Sequence, residues 1–103
     1  MNTATQLLYK AAMLLEQEED VDGALEVLHE ALVLTQIAGQ RVELVRTKTF
    51  LGELLVAIDQ PGEALKEFRD VVRLAEEYRG DPTDVDVEAG SARDWVAKLE
   101  AGH

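Results

Sequence analysis

Cysteine is absent from the 103-residue chain. That excludes disulfides, thiol catalysis and cysteine-ligated metals, and it fits a reducing, cytoplasmic compartment. Basic residues are scarce: 10 lysines and arginines stand against 21 acidic residues, a formal net charge of −11. A field of that sign repels phosphate backbones and anionic headgroups, so neither nucleic acid nor a membrane is an expected partner. The charge serves solubility or draws a basic partner. No apolar run approaches the roughly 20 residues needed to cross a bilayer. The N-terminus also lacks the basic-then-apolar order of a secretion signal. No stretch sustains two-residue alternation, so no sheet is expected.

What the chain does contain is a helical pattern that repeats. Hydrophobic residues make up 47% of it, enough to pack the core of one small domain. Gly52-Glu53-Leu54-Leu55 is followed, after a polar break, by Glu63-Ala64-Leu65-Lys66-Glu67-Phe68. Forty residues earlier stands a fainter copy, Ala12-Met13-Leu14-Leu15 and then Gly23-Ala24-Leu25-Glu26-Val27-Leu28. Each copy predicts a helix, a tight turn and a second helix. Repeated helical hairpins are scaffolds for holding other molecules more often than places for chemistry.

The first helix is expected over about 3–18, with Thr3 and Gln6 at capping-box spacing and Leu7, Leu8, Ala11, Ala12, Leu14 and Leu15 forming an apolar stripe. The second is expected over about 22–38, capped by Asp20 or Asp22 and stopped by Gly39. It is apolar nearly all round, which predicts burial on more than one side. The third covers about 41–58. Asp59-Gln60-Pro61-Gly62 marks a boundary, and Pro61 suits the first turn of a fourth helix reaching about 78, with Gly80 as its stop. Residues 81–90 are acidic, contain Pro82 and read as a loop. Ser91 and Asp94 have capping-box spacing, and Ala92, Trp95, Val96 and Leu99 give a short fifth helix over 91–101 its apolar face. The organisation expected is one domain: hairpin 1 over about 3–38, hairpin 2 over about 41–79, the acidic loop and a capping helix. Short connections predict antiparallel neighbours.

Leu51-Gly52 with Leu55, then Ala64, Phe68 and Val71, resembles a tetratricopeptide repeat. In the fainter copy Ala11-Ala12, Leu15, Ala24, Leu28 and Ala31 stand at the matching places. The likeness covers roughly 5–78. It implies an all-α fold, a short right-handed α-solenoid of about five helices in which small residues let helices approach and large ones fill the gaps. The forty-residue spacing departs from the family's 34 and implies longer second and third helices. Two hairpins are few for a stacked-repeat core. The fifth helix would cover the fourth through its Trp95 face, as a solvating helix does in this family. The first helix has no such cover, so Leu8 and Met13 are left for a partner or a second copy of the chain.

The resemblance further implies a non-enzymatic adaptor or scaffold that binds a peptide or protein segment on the concave face. Transferred residue by residue, that face takes Gln6, Tyr9, Lys10, Met13 and Gln17 from the first helix. From the third it takes Arg46, Thr49, Phe50 and Glu53. Met13 and Phe50 could equally be core; the Tyr9 hydroxyl calls for water or a partner. Some family members clamp a C-terminal carboxylate with lysine, asparagine and arginine. Tyr9, Met13, Thr49 and Glu53 stand at those positions here, so binding to heat-shock chaperone tails is not expected. The alternative is a homodimer formed through the first helix or the exposed end of the stack.

Other chemistry finds little footing. Glu26 and His29 have Glu-x-x-His spacing, but a carboxylate-bridged metal site needs two such pairs and further glutamates, so an exposed His29 is the better reading. Asp81, Asp84, Asp86 and Glu88 lack the order of a calcium loop and read as solvated. No nucleophile with a base, glycine-rich phosphate loop or paired catalytic acids stand out, so neither an enzyme nor a cofactor is expected.

Overall fold

The structure, a computed structural model, describes residues 3–79 and 85–102. Among the described residues it is all-α, with no strand: α1 Thr3–Glu18, α2 Val21–Ala38, α3 Arg41–Ala57, α4 Pro61–Glu77 and α5 Asp86–Ala101. The chain gathers into two compact units, Met1–Thr47 and Lys48–His103, and α3 runs across the boundary.

In the first unit α1 packs on α2 across a connection of two residues, Glu19 and Asp20. Glu19 takes a left-handed backbone, φ 51°, and reverses the chain. The Asp20 N–H donates to the Leu14 carbonyl at 2.9 Å, and its side chain accepts from the Gly23 N–H at 2.9 Å. Asp20 thus caps α2, and Asp22 lies inside the helix's first turn. At the far end Gly39 ends α2 with φ 66°, a conformation that costs glycine nothing. Ala4 and Ala11 of α1 are fully buried, as are Ala24, Leu28 and Ala31 of α2. Small side chains therefore dominate the buried set, which allows close approach of the backbones.

One expectation fails in this unit. The apolar circumference of α2 predicted burial on more than one side. Its buried residues, Ala24, Val27, Leu28, Ala31 and Thr35, follow a single helical stripe. On the opposite face Val33 is 56% and Ile37 82% exposed. Thr35 sits in the buried stripe because its hydroxyl donates to the Ala31 carbonyl at 2.8 Å, which removes the cost of burying it.

The second unit repeats this grammar forty residues on. Asp59 takes φ 60°, the Gln60 N–H donates to the Leu55 carbonyl at 2.8 Å, and Pro61 occupies the first turn of α4. Ala64, Phe68 and Val71 are fully buried, matching Ala24, Leu28 and Ala31. Phe68 is the pivot. A Cβ built on Gly52 of α3 would lie 2.7 Å from the Phe68 ring, so only glycine lets the two helices sit this close. The ring also stacks on Trp95 of α5, centroids 5.6 Å apart and planes 6° from parallel. Lys98 lies 5.1 Å over the Trp95 ring. Lys48 is buried at the start of this unit and pairs with Glu67 at 3.3 Å and Asp70 at 3.0 Å on α4.

The Trp95 face therefore covers α4, as the sequence indicated, but α5 begins earlier than expected. Residues 86–90 are helical, not loop, and Ser91 lies inside the helix rather than at its cap. Val85, 3% exposed, anchors the entry. With Ala89, Ala92, Val96 and Leu99 it makes a helical period that runs straight through Gly90. Asp86 and Glu88 fall in the first turn, where carboxylates oppose the positive helix end. Gly80, Asp81, Pro82 and Asp84 lie outside the described residues.

Two predictions follow from these contacts. Gly52→Ala should lower unfolding free energy in urea by about 1–3 kcal/mol, because the Phe68 ring is held by Trp95 and cannot retreat. Combined with Phe68→Leu it should cost less than the two changes summed. Glu19→Gly should raise stability by about 1 kcal/mol by relieving the left-handed Cβ, and Asp59→Gly by less, since aspartate tolerates that conformation better. Thermal and urea denaturation measure both.

Candidate functional site

The fully buried positions of α1 are Ala4 and Ala11, seven residues apart, flanked by half-buried Leu7, Leu8 and Leu15. Tyr9, almost opposite Ala11 on the helical wheel, is 60% exposed, and Met13 is 54% exposed. They stand one turn apart on one face. Around them Gln6, Lys10, Leu14, Gln17 and Glu18 complete the lining of a shallow depression of about 480 Å³. All five α1 residues named from the sequence lie on it. Leu14 and Glu18 were not named; their signal was the i, i+4 series Lys10, Leu14, Glu18. Met13's alternative reading as core does not survive its exposure. Leu8 is half-buried.

The other four named residues lie on α3 and are less uniform. Arg46 is exposed, Thr49 is 9% exposed and Phe50 is half-buried. Glu53 is exposed along part of its length, yet burial of the rest pushes its carboxyl above the ordinary value. Removing water from a carboxylate without an adjacent cation disfavours the charged form.

His29 is exposed on α2, and its Nδ1 contacts the Leu25 carbonyl at 2.7 Å, which makes Nδ1 the N–H donor. Among the described residues no three His, Cys, Asp or Glu side chains converge in a way that could hold a metal ion. Among them, too, no helix is long and apolar enough to cross a membrane.

Charge is distributed unevenly along the chain. Lys48, Arg69, Arg73, Arg79 and Arg93, all in the second unit, hold carboxylates of the same unit within 4 Å. At the end of α1, Glu16, Glu18 and Glu19 are exposed and, among the described residues, make no ion pair. The last turn of α1 contains no basic residue.

Compared with protein-family models, curated proteins and solved structures, the chain matches none.

The raised Glu53 carboxyl has a definite pH signature. In the fold its ionised form is penalised, so Glu53 subtracts from stability above its raised pKa and subtracts nothing once pH falls below the unfolded value. Glu53→Gln should therefore melt above the parent at pH 7.5. That gap should close on acidification through the carboxylate range, as read by thermal denaturation of both proteins side by side.

Proposed function

We propose that the chain is a non-enzymatic protein–protein interaction module, an adaptor or scaffold of tetratricopeptide type. It holds a peptide or protein segment against the exposed face of α1. The carrying observation is the Tyr9–Met13 pair, two large side chains left in solvent above a depression while alanines make the fully buried positions of the same helix. Exposed aromatic and methionine side chains of this kind gain most from burial against a partner. The forty-residue recurrence of Glu19 with Asp59, of Leu28 with Phe68 and of Ala31 with Val71 supports the repeat reading. Within it, α5 closes the second hairpin by packing on α4. The lack of cysteine supports a cytoplasmic setting, and the net charge of −11 disfavours nucleic acid and anionic membranes.

Self-association is the second reading. Besides Tyr9 and Met13, α2 exposes Val33 and Ile37, apolar surface that a second copy would cover. Against it stands the charge, since each copy brings the same excess of carboxylates.

Two measurements test these readings. A random-peptide library displayed on phage, selected against the immobilised full chain, should yield binders. The Tyr9→Ser/Met13→Ser double variant should weaken them at least about tenfold, near 1.4 kcal/mol, with an unchanged melting temperature. Failure to enrich any peptide, or equal affinity for parent and variant, removes α1 as the site. Light scattering over a wide concentration range should give the monomer mass of 11.4 kDa throughout. A stable dimer would favour self-association.

A further inference from the structure

The ends of α1 differ in a way that peptide binding alone does not require. Tyr9 and Met13 occupy its middle, and among the described residues lining the depression Lys10 is the one cation. One to two turns further on come Glu16, Glu18 and Glu19, with Glu16 seven residues after Tyr9 and so on the same side. The negative end of a helix dipole favours basic side chains, yet the last turn of α1 has none and carries two glutamates. Glu16 and Glu19, three apart, and Glu18 beside them also repel one another. In the second unit several carboxylates are neutralised locally. Glu67 and Asp70 share Lys48, Glu100 holds Arg69, and Glu76 holds Arg79 and Arg93. Residues 1–47 carry eight acidic side chains against Lys10, Arg41 and Arg46. The end of α1 is thus an uncompensated negative pole beside an exposed apolar pair.

We infer that α1 takes a basic amphipathic segment and fixes its direction. The segment's apolar residues lie over Tyr9 and Met13, and its lysines or arginines lie against Glu16, Glu18 and Glu19. This rests on the peptide-binding reading of α1 and adds the partner's charge and polarity to it. Lys10 enforces the direction by repelling cations from the apolar end. From the midpoint of Tyr9 and Met13 to the glutamates is roughly 10 Å at 1.5 Å per residue. A helical partner therefore places its cations about six or seven residues from its apolar pair, and an extended one about three. The cations of the partner supply what the last turn of α1 lacks, and they also oppose the charge of the whole chain, which speeds encounter and makes it salt-sensitive.

A designed peptide of about 16 residues is the probe. It is amphipathic, with two leucines one turn apart and three lysines about seven residues further on, in line with the helical spacing. A second version has the lysines replaced by glutamates. Fluorescence anisotropy with the full chain should show the lysine peptide binding and the glutamate peptide at least about tenfold weaker, with affinity falling as salt rises. Glu16→Gln/Glu18→Gln/Glu19→Gln should weaken the lysine peptide by a similar factor while raising the melting temperature of the free protein. A merely structural role for these glutamates would not produce that opposition. A nitroxide on the lysine end should broaden amide signals of residues 16–19, and one on the leucine end those around Gln6 and Tyr9.

Equal affinity for both peptides, indifference to the triple glutamine change, or reversed broadening overturns the inference. If library-selected peptides bind through Tyr9 and Met13 but are neutral or acidic, the charge and direction proposed here are wrong and the peptide-binding reading stands. If no peptide binds α1 at all, both fall.

Discussion

The second unit of this protein depends on one ring. Phe68 meets both Gly52 of α3 and Trp95 of α5, and three helices take their spacing from it. At Gly52 the absence of a side chain allows close approach to the helix backbone, and a stacked indole packs the ring against α5. The nearby buried ammonium of Lys48 is possible because Glu67 and Asp70 are in place to receive it. Apolar contact sets the distance and paired charge tolerates the burial. Five of the unit's basic residues, Lys48, Arg69, Arg73, Arg79 and Arg93, are engaged with its carboxylates.

The first unit is solved differently. Alanines, not a large ring, make its fully buried positions on α1, and four of its larger side chains reach solvent: Tyr9 and Met13 on α1, Val33 and Ile37 on α2. Among the described residues, Glu16, Glu18 and Glu19 at the hairpin turn make no ion pair. An isolated helix would gain from a lysine there. Local stability and local sequence disagree at this turn, and such disagreements concentrate where a chain meets something else. The two units thus share a backbone grammar and divide the work: one consolidates itself, the other presents surface.

The hairpins were legible because their signals are local. Apolar residues at helical period, Asp20 before α2, Pro61 in the first turn of α4 and Gly39 after α2 act within a few residues, and each appears where the sequence placed it. The α5 start was not legible for the same reason. Acidic residues, Pro82 and Gly90 argue for loop when read locally, and the capping-box spacing of Ser91 and Asp94 pointed to a later start. What decides is Val85, whose burial at 3% ties the entry of the helix to the rest of the unit. The candidate site was legible as a set of positions on α1. Whether those side chains were covered was not, since the periodicity of Met13 suits a core residue as well as an exposed one.

The sequence by itself determined the helices, their turns and the negative charge, because each follows from side-chain pattern and backbone preference over short range. It also made the forty-residue repeat visible. Only the tertiary structure decided which apolar residues are core. Ile37 and Leu28 sit in the same apolar helix, yet one is 82% exposed and the other fully buried. The difference lies in which stripe of α2 meets other atoms, and burial is a property of neighbours, which no single helix's sequence contains.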